Sequence, residues 1–415
     1  MESPNPTIKS LVFSQFLKCD LDKDELSDEY VAALWSQLKA CTDGDSDVNS
    51  LLTKILSRFA RSKGSLSCLY GDAALGTIHE LIAENESARL RLYDIMAVTI
   101  ENVEHSVETL SQKSLLDALL QDVSADDVLV RMNSLEILGK MCVSKDMLGL
   151  VTERGILHEL VKSLERGIDE DGNIRDDMLT EMSWTSTLKF FVQFSRIKGF
   201  EFSELNGSLP ILPLLRQAIQ DGQAVDLQIA SINCLAGFLE SQKGTEYMLN
   251  EGKTLRAFVS IYNVESGDTR LECLKVISCL LGSEYIAKDE KLSKRCFELY
   301  HQLNNGRFIA VMVRDSMSVI EEISGACIEL LNDLCQFDWG RRELSQSSMF
   351  MSLIFDRTKA PTARIKQWKY AIVTNLKNSP DVVELFGSKA VEQMRAYITQ
   401  GAFYMPPGAI VETEF

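Results

Sequence analysis

One amphipathic helix pattern recurs along this chain at intervals of about 42 to 52 residues, and no other feature limits the available folds as strongly. Residues 129–141 read LVRMNSLEILGKM. Met132, Leu135, Leu138 and Met141 recur at every third position with Ile137 beside them, which makes one broad apolar stripe on a helix. Asp126 and Asp127 stand just before it, where the helix N-terminus favours acidic groups. After a break, Gly155-Ile156-Leu157 opens a second helix with Leu157, Leu160, Val161 and Leu164 on one side. Residues 226–239 (DLQIASINCLAGFL), then Asn250-Glu251-Gly252 and the helix TLRAFVSIY, repeat the arrangement about 97 residues later. Further copies fall at 90–100, 186–195, 270–281, 325–335 and 369–376.

A single helical pair cannot bury its own apolar face, whereas stacked pairs bury it in one continuous core. The spacing therefore predicts an all-α chain of the armadillo/HEAT-like α-solenoid class, a right-handed superhelix of helical repeats. Only 8 Pro and 23 Gly interrupt it, and no β-branched alternating runs with Asn-Gly turns are present. Weaker helical patterns at 8–18, 28–40 and 48–62 suggest an N-terminal helical cap over residues 1–64. The repeats then run over 65–405, and a flexible tail rich in Pro and Gly follows at 406–415. The acidic segment 169–177 (DEDGNIRDD) is expected to be a solvated loop inserted in the array.

Lys plus Arg number 43 against 60 Asp plus Glu, a formal net charge of −17. Phosphate backbones and anionic membranes are poor partners for such a surface, while basic or mixed-charge proteins suit it. The ten cysteines fall mostly in apolar helical stretches, among them Cys234, Cys273, Cys279, Cys327 and Cys335, as buried thiols of a reducing compartment do. No secretory signal and no run of about 18 apolar residues is seen, so a cytoplasmic and also nuclear location is expected. The triplets Asn85-Glu86-Ser87 and Asn206-Gly207-Ser208 then read as accidental glycosylation motifs.

Motifs for chemistry are missing. His79-Glu80 and His158-Glu159 begin like a zinc-protease motif, but the fifth positions are Ala83 and Lys162. His105 and His301 have no second histidine at metal spacing, and no CxxC occurs. Asp20, Asp22 and Asp24, like Asp43, Asp45 and Asp47, have the start of a calcium loop. Both lack its turn glycine and terminal glutamate, with Glu25 and Val31, or Val48 and Lys54, in those places. No phosphate-binding glycine loop or nucleophile elbow is found. The expectation is a non-enzyme without metal or cofactor.

A solenoid holds other proteins on its concave face. In SLEILGKM the packing of Leu135 and Leu138 leaves Glu136 and Lys140 one turn apart on the open side. Equivalent positions are Asp94, then Lys189 with Gln193, Cys234 with Phe238, Lys275, and Glu329 with Asp333. This mixed-charge row suits a folded protein domain, with Phe238 as its candidate aromatic anchor, although the core is an alternative place for that ring. A nuclear transport adaptor is the alternative, but Trp35, Trp184, Trp339 and Trp368 form no ladder at one repeat position.

Some stretches are more specific than a generic repeat. Asp126-Asp127-Val128-Leu129-Val130-Arg131, continued to Met141, resembles a unit of the 26S proteasome non-ATPase regulatory subunit 5 family. Leu188-Lys189-Phe190-Phe191 resembles a Val-Lys-Phe-Phe stretch in the same relative place, and Gln336-Phe337-Asp338-Trp339 resembles that family's penultimate repeat. The terminal segments YAIVTNLKNSPDVVELFG (370–387) and MRAYITQGAFYMPPG (394–408) are similar to the family's ending. The resemblance covers roughly residues 65–410, whereas residues 1–64 show none and look shorter than the family's N-terminal part. It implies a monomeric assembly chaperone of the proteasome. Such a chaperone binds the C-terminal helical domain of the base AAA ATPase regulatory subunit 7, in a precursor with regulatory subunit 4 and the largest non-ATPase base subunit. It thereby keeps the ATPase off the 20S core, and it is absent from the finished 26S particle.

Overall fold

The computed structural model of the chain describes residues 5–18, 28–41, 45–62, 64–197, 200–221, 224–264, 267–360 and 362–405. Asp20, Asp22, Asp24 and Asp43 of the calcium-like triplets lie outside the described residues, as does the tail 406–415. The described residues are helices and their connections, with no strand and a single isolated bridge between Ile168 and Ile174. The chain packs as two compact units, Met1–Glu201 and Phe202–Phe415. Each is a stack of armadillo/HEAT-like helical repeats.

In the first unit the principal helices are α1 (Pro6–Lys18), α2 (Asp28–Ala40), α3 (Ser46–Ala60), α4 (Asp72–Glu84), α5 (Glu86–Asn102), α6 (Val128–Met141), α7 (Ile156–Arg166) and α8 (Met178–Gln193). Helices α3, α5, α6 and α8 pack in succession as one row, and α2 packs against α4. Helices of this length are marginal alone in water, so packing must hold them. Along α6, Leu135, Ile137, Leu138 and Met141 are all buried. Each such side chain contributes roughly 1.5–3 kcal/mol when it leaves water. Asp127 caps α6, its carboxylate accepting from the N–H groups of Leu129 at 2.8 Å and Val130 at 3.2 Å. That satisfies two of the donors the first turn leaves open.

The second unit repeats the scheme with α9 (Ile211–Gln220), α10 (Val225–Leu239), α11 (Lys253–Tyr262), α12 (Gly267–Leu281), α13 (Glu321–Asp333), α14 (Ala363–Asn378) and α15 (Val382–Gln400). Helices α10, α12, α13 and α14 form the row, and α9 packs on α11. The echo between residues 153–155 and 250–252 is conformational. Gly155 precedes α7 at φ +72° and Gly252 precedes α11 at φ +67°, a left-handed turn that glycine adopts without a Cβ penalty.

Polar bonds between helices span about one repeat of sequence. Asn85 donates to the carbonyls of Lys39 and Cys41 at 3.0 and 3.1 Å while its own oxygen caps α5 at the Ala88 N–H. Its amide is therefore taken up within the fold, in keeping with the reading of Asn85-Glu86-Ser87 as accidental. In the second unit the Asn375 amide donates to the Asn332 oxygen at 2.8 Å. Arg295 donates to the Leu249 carbonyl at 3.1 Å.

Two buried arginines close the C-terminal end of the second unit. Arg341, 6% exposed, donates from Nε to both carboxylate oxygens of Asp381 at 2.8 and 3.0 Å and from Nη1 to the Cys335 carbonyl at 3.1 Å. Arg357 donates to the carbonyls of Gly401, Tyr397 and Tyr404 at 2.7, 2.9 and 3.3 Å, and its guanidinium lies 3.5 Å from the Tyr397 ring centroid. Replacing Arg341 by Ala would take from the Asp381 carboxylate its buried guanidinium partner and from the Cys335 carbonyl the donor it has in Arg341. Urea unfolding should show a loss of about 3 kcal/mol for Arg341→Ala, against less than about 0.5 kcal/mol for the neighbouring exposed Arg342→Ala.

Candidate functional site

The first unit carries five of the residues expected on an open face. Helical spacing puts the buried Leu135 and Leu138 of α6 toward the core, which leaves Glu136 and Lys140 out, one turn apart. Lys140 Nζ lies 3.0 Å from Glu136 and 3.8 Å from Asp94 of α5, so the three form one charged cluster across two helices. Burial raises the Asp94 carboxyl above its ordinary range, Lys140 works against that, and Glu136 adds to it. Asp94, Lys140 and Gln193 line a groove of about 880 Å3 whose walls also carry Glu101, Glu104 and Asp146. Glu136, Lys189 and Gln193 line a second hollow of about 140 Å3 between α6 and α8. Gln193 is common to both. The structure thus brings Asp94, Glu136, Lys140, Lys189 and Gln193 together along one face of α5, α6 and α8.

In the second unit the row breaks up. Lys275 on α12 is exposed and bound to Glu272 of its own helix at 2.6 Å. Glu329 on α13 is half-buried, 3.7 Å from Arg364 at the start of α14. Phe238 is not an exposed anchor: it is fully buried, with the Phe202 ring standing 6.5 Å away, edge to face. The 3-10 turn Phe202–Leu205 thus stands against that side of α10. Cys234, one turn earlier, is buried as well. Asp333 is buried too, 8% exposed, and so is no open-face group. The sequence search missed a groove of about 840 Å3 lined by Asn332, Asn375, Asn378, Gln336 and Arg341. Its signal was the pair Asn332 and Asn375, 43 residues apart and bonded across α13 and α14. A search for charged rows passes over such amides.

Among the described residues no group of three or more His, Cys, Asp and Glu is placed to hold a metal ion, and no helix is long and apolar enough to cross a membrane. Burial pushes the thiols of Cys142, Cys296 and Cys327 up to about 12. Such thiols are unreactive near neutral pH. The acidic segment 169–177 is exposed apart from Ile174, and Asp169 organises it by accepting from the N–H groups of Asp171 and Asn173 at 3.0 and 2.8 Å.

A family model described as the proteasome non-ATPase 26S subunit matches residues 1–415. The match extends through residues 1–64, where motif resemblance alone finds nothing. The 26S proteasome non-ATPase regulatory subunit 5 of Mus musculus is 21% identical over 429 residues, covering 99% of this chain and 81% of that protein. The Homo sapiens protein of the same description is 20% identical over 420 residues, with 99% and 81% covered. A solved set of computationally designed armadillo repeat proteins for modular peptide recognition aligns at TM-score 0.36 and 13% identity, over 60% of this chain and 99% of that one.

Asp333 gives the second unit a titration of its own. Burial pushes its carboxyl up to about 7 and Glu329 adds to the rise, while bonds with Ser278 and Asn332 oppose it. Between about pH 4 and pH 7 the folded chain holds a proton there that the unfolded chain has released, so stability falls as pH rises through that window. Asp333→Asn should flatten this slope. Denaturation midpoints at about pH 5 and about pH 8 should differ less in the variant, by roughly 2–4 kcal/mol of unfolding free energy.

Proposed function

Because the chain belongs to the proteasome non-ATPase 26S subunit family, we propose that it is an assembly chaperone for the base of the proteasome regulatory particle. It acts by binding, without a catalytic group or cofactor, as a monomer in the cytoplasm and the nucleus. Its partner is the C-terminal helical domain of a base AAA ATPase, regulatory subunit 7, carried in a precursor with regulatory subunit 4 and the largest non-ATPase base subunit.

The observation that carries this reading is the charged face of α5, α6 and α8. There Asp94, Glu136 and Lys140 form one cluster beside an open groove, and Lys189 and Gln193 continue it. Exposed groups of both signs at fixed spacing select a folded partner of complementary charge more than they add raw affinity. The net charge of −17 favours a partner whose facing surface is basic. A specific interface of this kind buries about 1,600 Å2 in total. An ATPase domain held in that way cannot present its tail to the 20S core. Release follows when contacts in the assembled ring exceed those with the chaperone, which calls for moderate affinity.

Purification of the tagged chain from cells, followed by mass spectrometry, should recover free base ATPases without core-particle subunits. Stoichiometric recovery of whole 26S particles, or of transport receptors instead, would refute the proposal. The double exchange Glu136→Lys with Lys140→Glu keeps the i, i+4 pair within α6 but reverses the pattern shown to a partner. It should weaken binding to the isolated ATPase C-terminal domain at least about tenfold, a change of roughly 1.4 kcal/mol. Unchanged affinity would move the binding face elsewhere.

A further inference from the structure

Where α6, α7 and α8 meet in the first unit there is a cavity of about 210 Å3 that shares no residue with either groove on the charged face. Arg131 of α6, Arg166 of α7 and Trp184 of α8 line it, with hydroxyls from Ser163, Thr180 and Ser183. Trp184 is fully buried, yet its indole N–H meets no acceptor. The Nε–H of Arg131 is also buried without an acceptor, while its Nη1 is held by the Ala125 carbonyl at 2.7 Å. A buried N–H left unpaired costs about 1–3 kcal/mol, so two of them on residues that line one cavity require an explanation. Gly167 is part of it: an ideal Cβ there would stand 2.5 Å from the indole nitrogen, so only glycine leaves that nitrogen clear.

The donor set defines the occupant. Ser163 already donates to the Leu160 carbonyl at 2.7 Å, and Thr180 to the Asp177 carboxylate at 2.7 Å. What is left over is N–H and the Ser183 hydroxyl, with two guanidinium charges. Arg166 is loosely held at the rim, largely exposed and 3.4 Å from Glu159, a carboxylate that Lys162 also binds at 2.9 Å. The occupant must therefore be small, negatively charged and an acceptor on several sides. The cavity is several times the roughly 30 Å3 share of one water molecule, which admits a tetrahedral oxyanion together with the atom that carries it. Guanidinium groups match such an anion by parallel N–H bonds. We propose that this cavity is a phosphate-binding site, filled by inorganic phosphate or by a phosphorylated side chain.

Calorimetric titration of the full chain, in chloride buffer at fixed ionic strength, with inorganic phosphate and separately with O-phosphoserine tests this. Saturable binding of one equivalent is expected. Trp184→Phe, which deletes the indole N–H, and Arg166→Gln, a change at an exposed position, should each weaken it about tenfold, as expected for one charge-assisted bond. Circular dichroism at 222 nm should show both variants folded, and the Arg166 variant carries the test alone if the Trp184 variant unfolds. O-phosphoserine binding tenfold tighter than phosphate would identify a phosphorylated side chain as the source, and the reverse order free phosphate; either supports the site. Heats that do not saturate, an equal response to acetate, or Arg166→Gln binding as tightly as the parent chain would overturn it and leave the cavity to water.

Discussion

Burial of each inner helix between the one before it and the one after it is the constraint on which this molecule depends. Helix α6 has α5 on one side and α8 on the other, and α12 stands in the same way between α10 and α13. None of these helices would persist alone in water, and none has a polar circumference that would let it try. Because the partner of every inner helix is its counterpart one repeat away, stabilising contacts carry a nearly constant sequence separation. Those from Asn85 to Cys41, Asn375 to Asn332 and Arg295 to Leu249 span 44, 43 and 46 residues. Such an architecture is cooperative through nearest neighbours only, so damage at one repeat is felt first by the two beside it.

The same constraint leaves one surface of the row open. A helix packed by neighbours fore and aft and by its own partner beneath has one side left over, and in the first unit that side carries Asp94, Glu136, Lys140, Lys189 and Gln193. The charges there are half satisfied by one another. Lys140 sits between two carboxylates and is still largely exposed, a state in which a partner's charge can exchange with an internal one at little cost in desolvation. That suits the reversible binding proposed for this face.

Much of the fold was legible in the sequence because its determinants are local. The three-residue recurrence in α6, the aspartate before it and the glycine before α7 each act within a turn or two of their own position, and each is found where the pattern put it. The open face was legible only where nothing distant covers it. Phe238 and Asp333 hold the helical register expected of exposed positions, but Phe202 covers the first and the packing of α12 and α13 encloses the second. A stripe pattern says that a helix has a second face; whether that face meets water is decided by residues far away in the chain. The run CLAGFL at 234–239, without a polar side chain, was the available sign that α10 is covered on both sides. The groove around Asn332 and Asn375 is centred on amides, which a charged-row pattern does not pick out, and the one-repeat spacing of that pair is its signal.

Arg357 bears on how the carbonyls at the C-terminal end of α15 find their donors. Helix α15 packs on α14, and the last carbonyls of a helix find no donor within the helix itself. The guanidinium of Arg357 fills that role: its N–H groups go to the Tyr397, Gly401 and Tyr404 carbonyls, and its flat face rests on the Tyr397 ring. One buried side chain thereby satisfies three carbonyls at and just beyond the end of α15, so neither water nor a partner has to supply their donors.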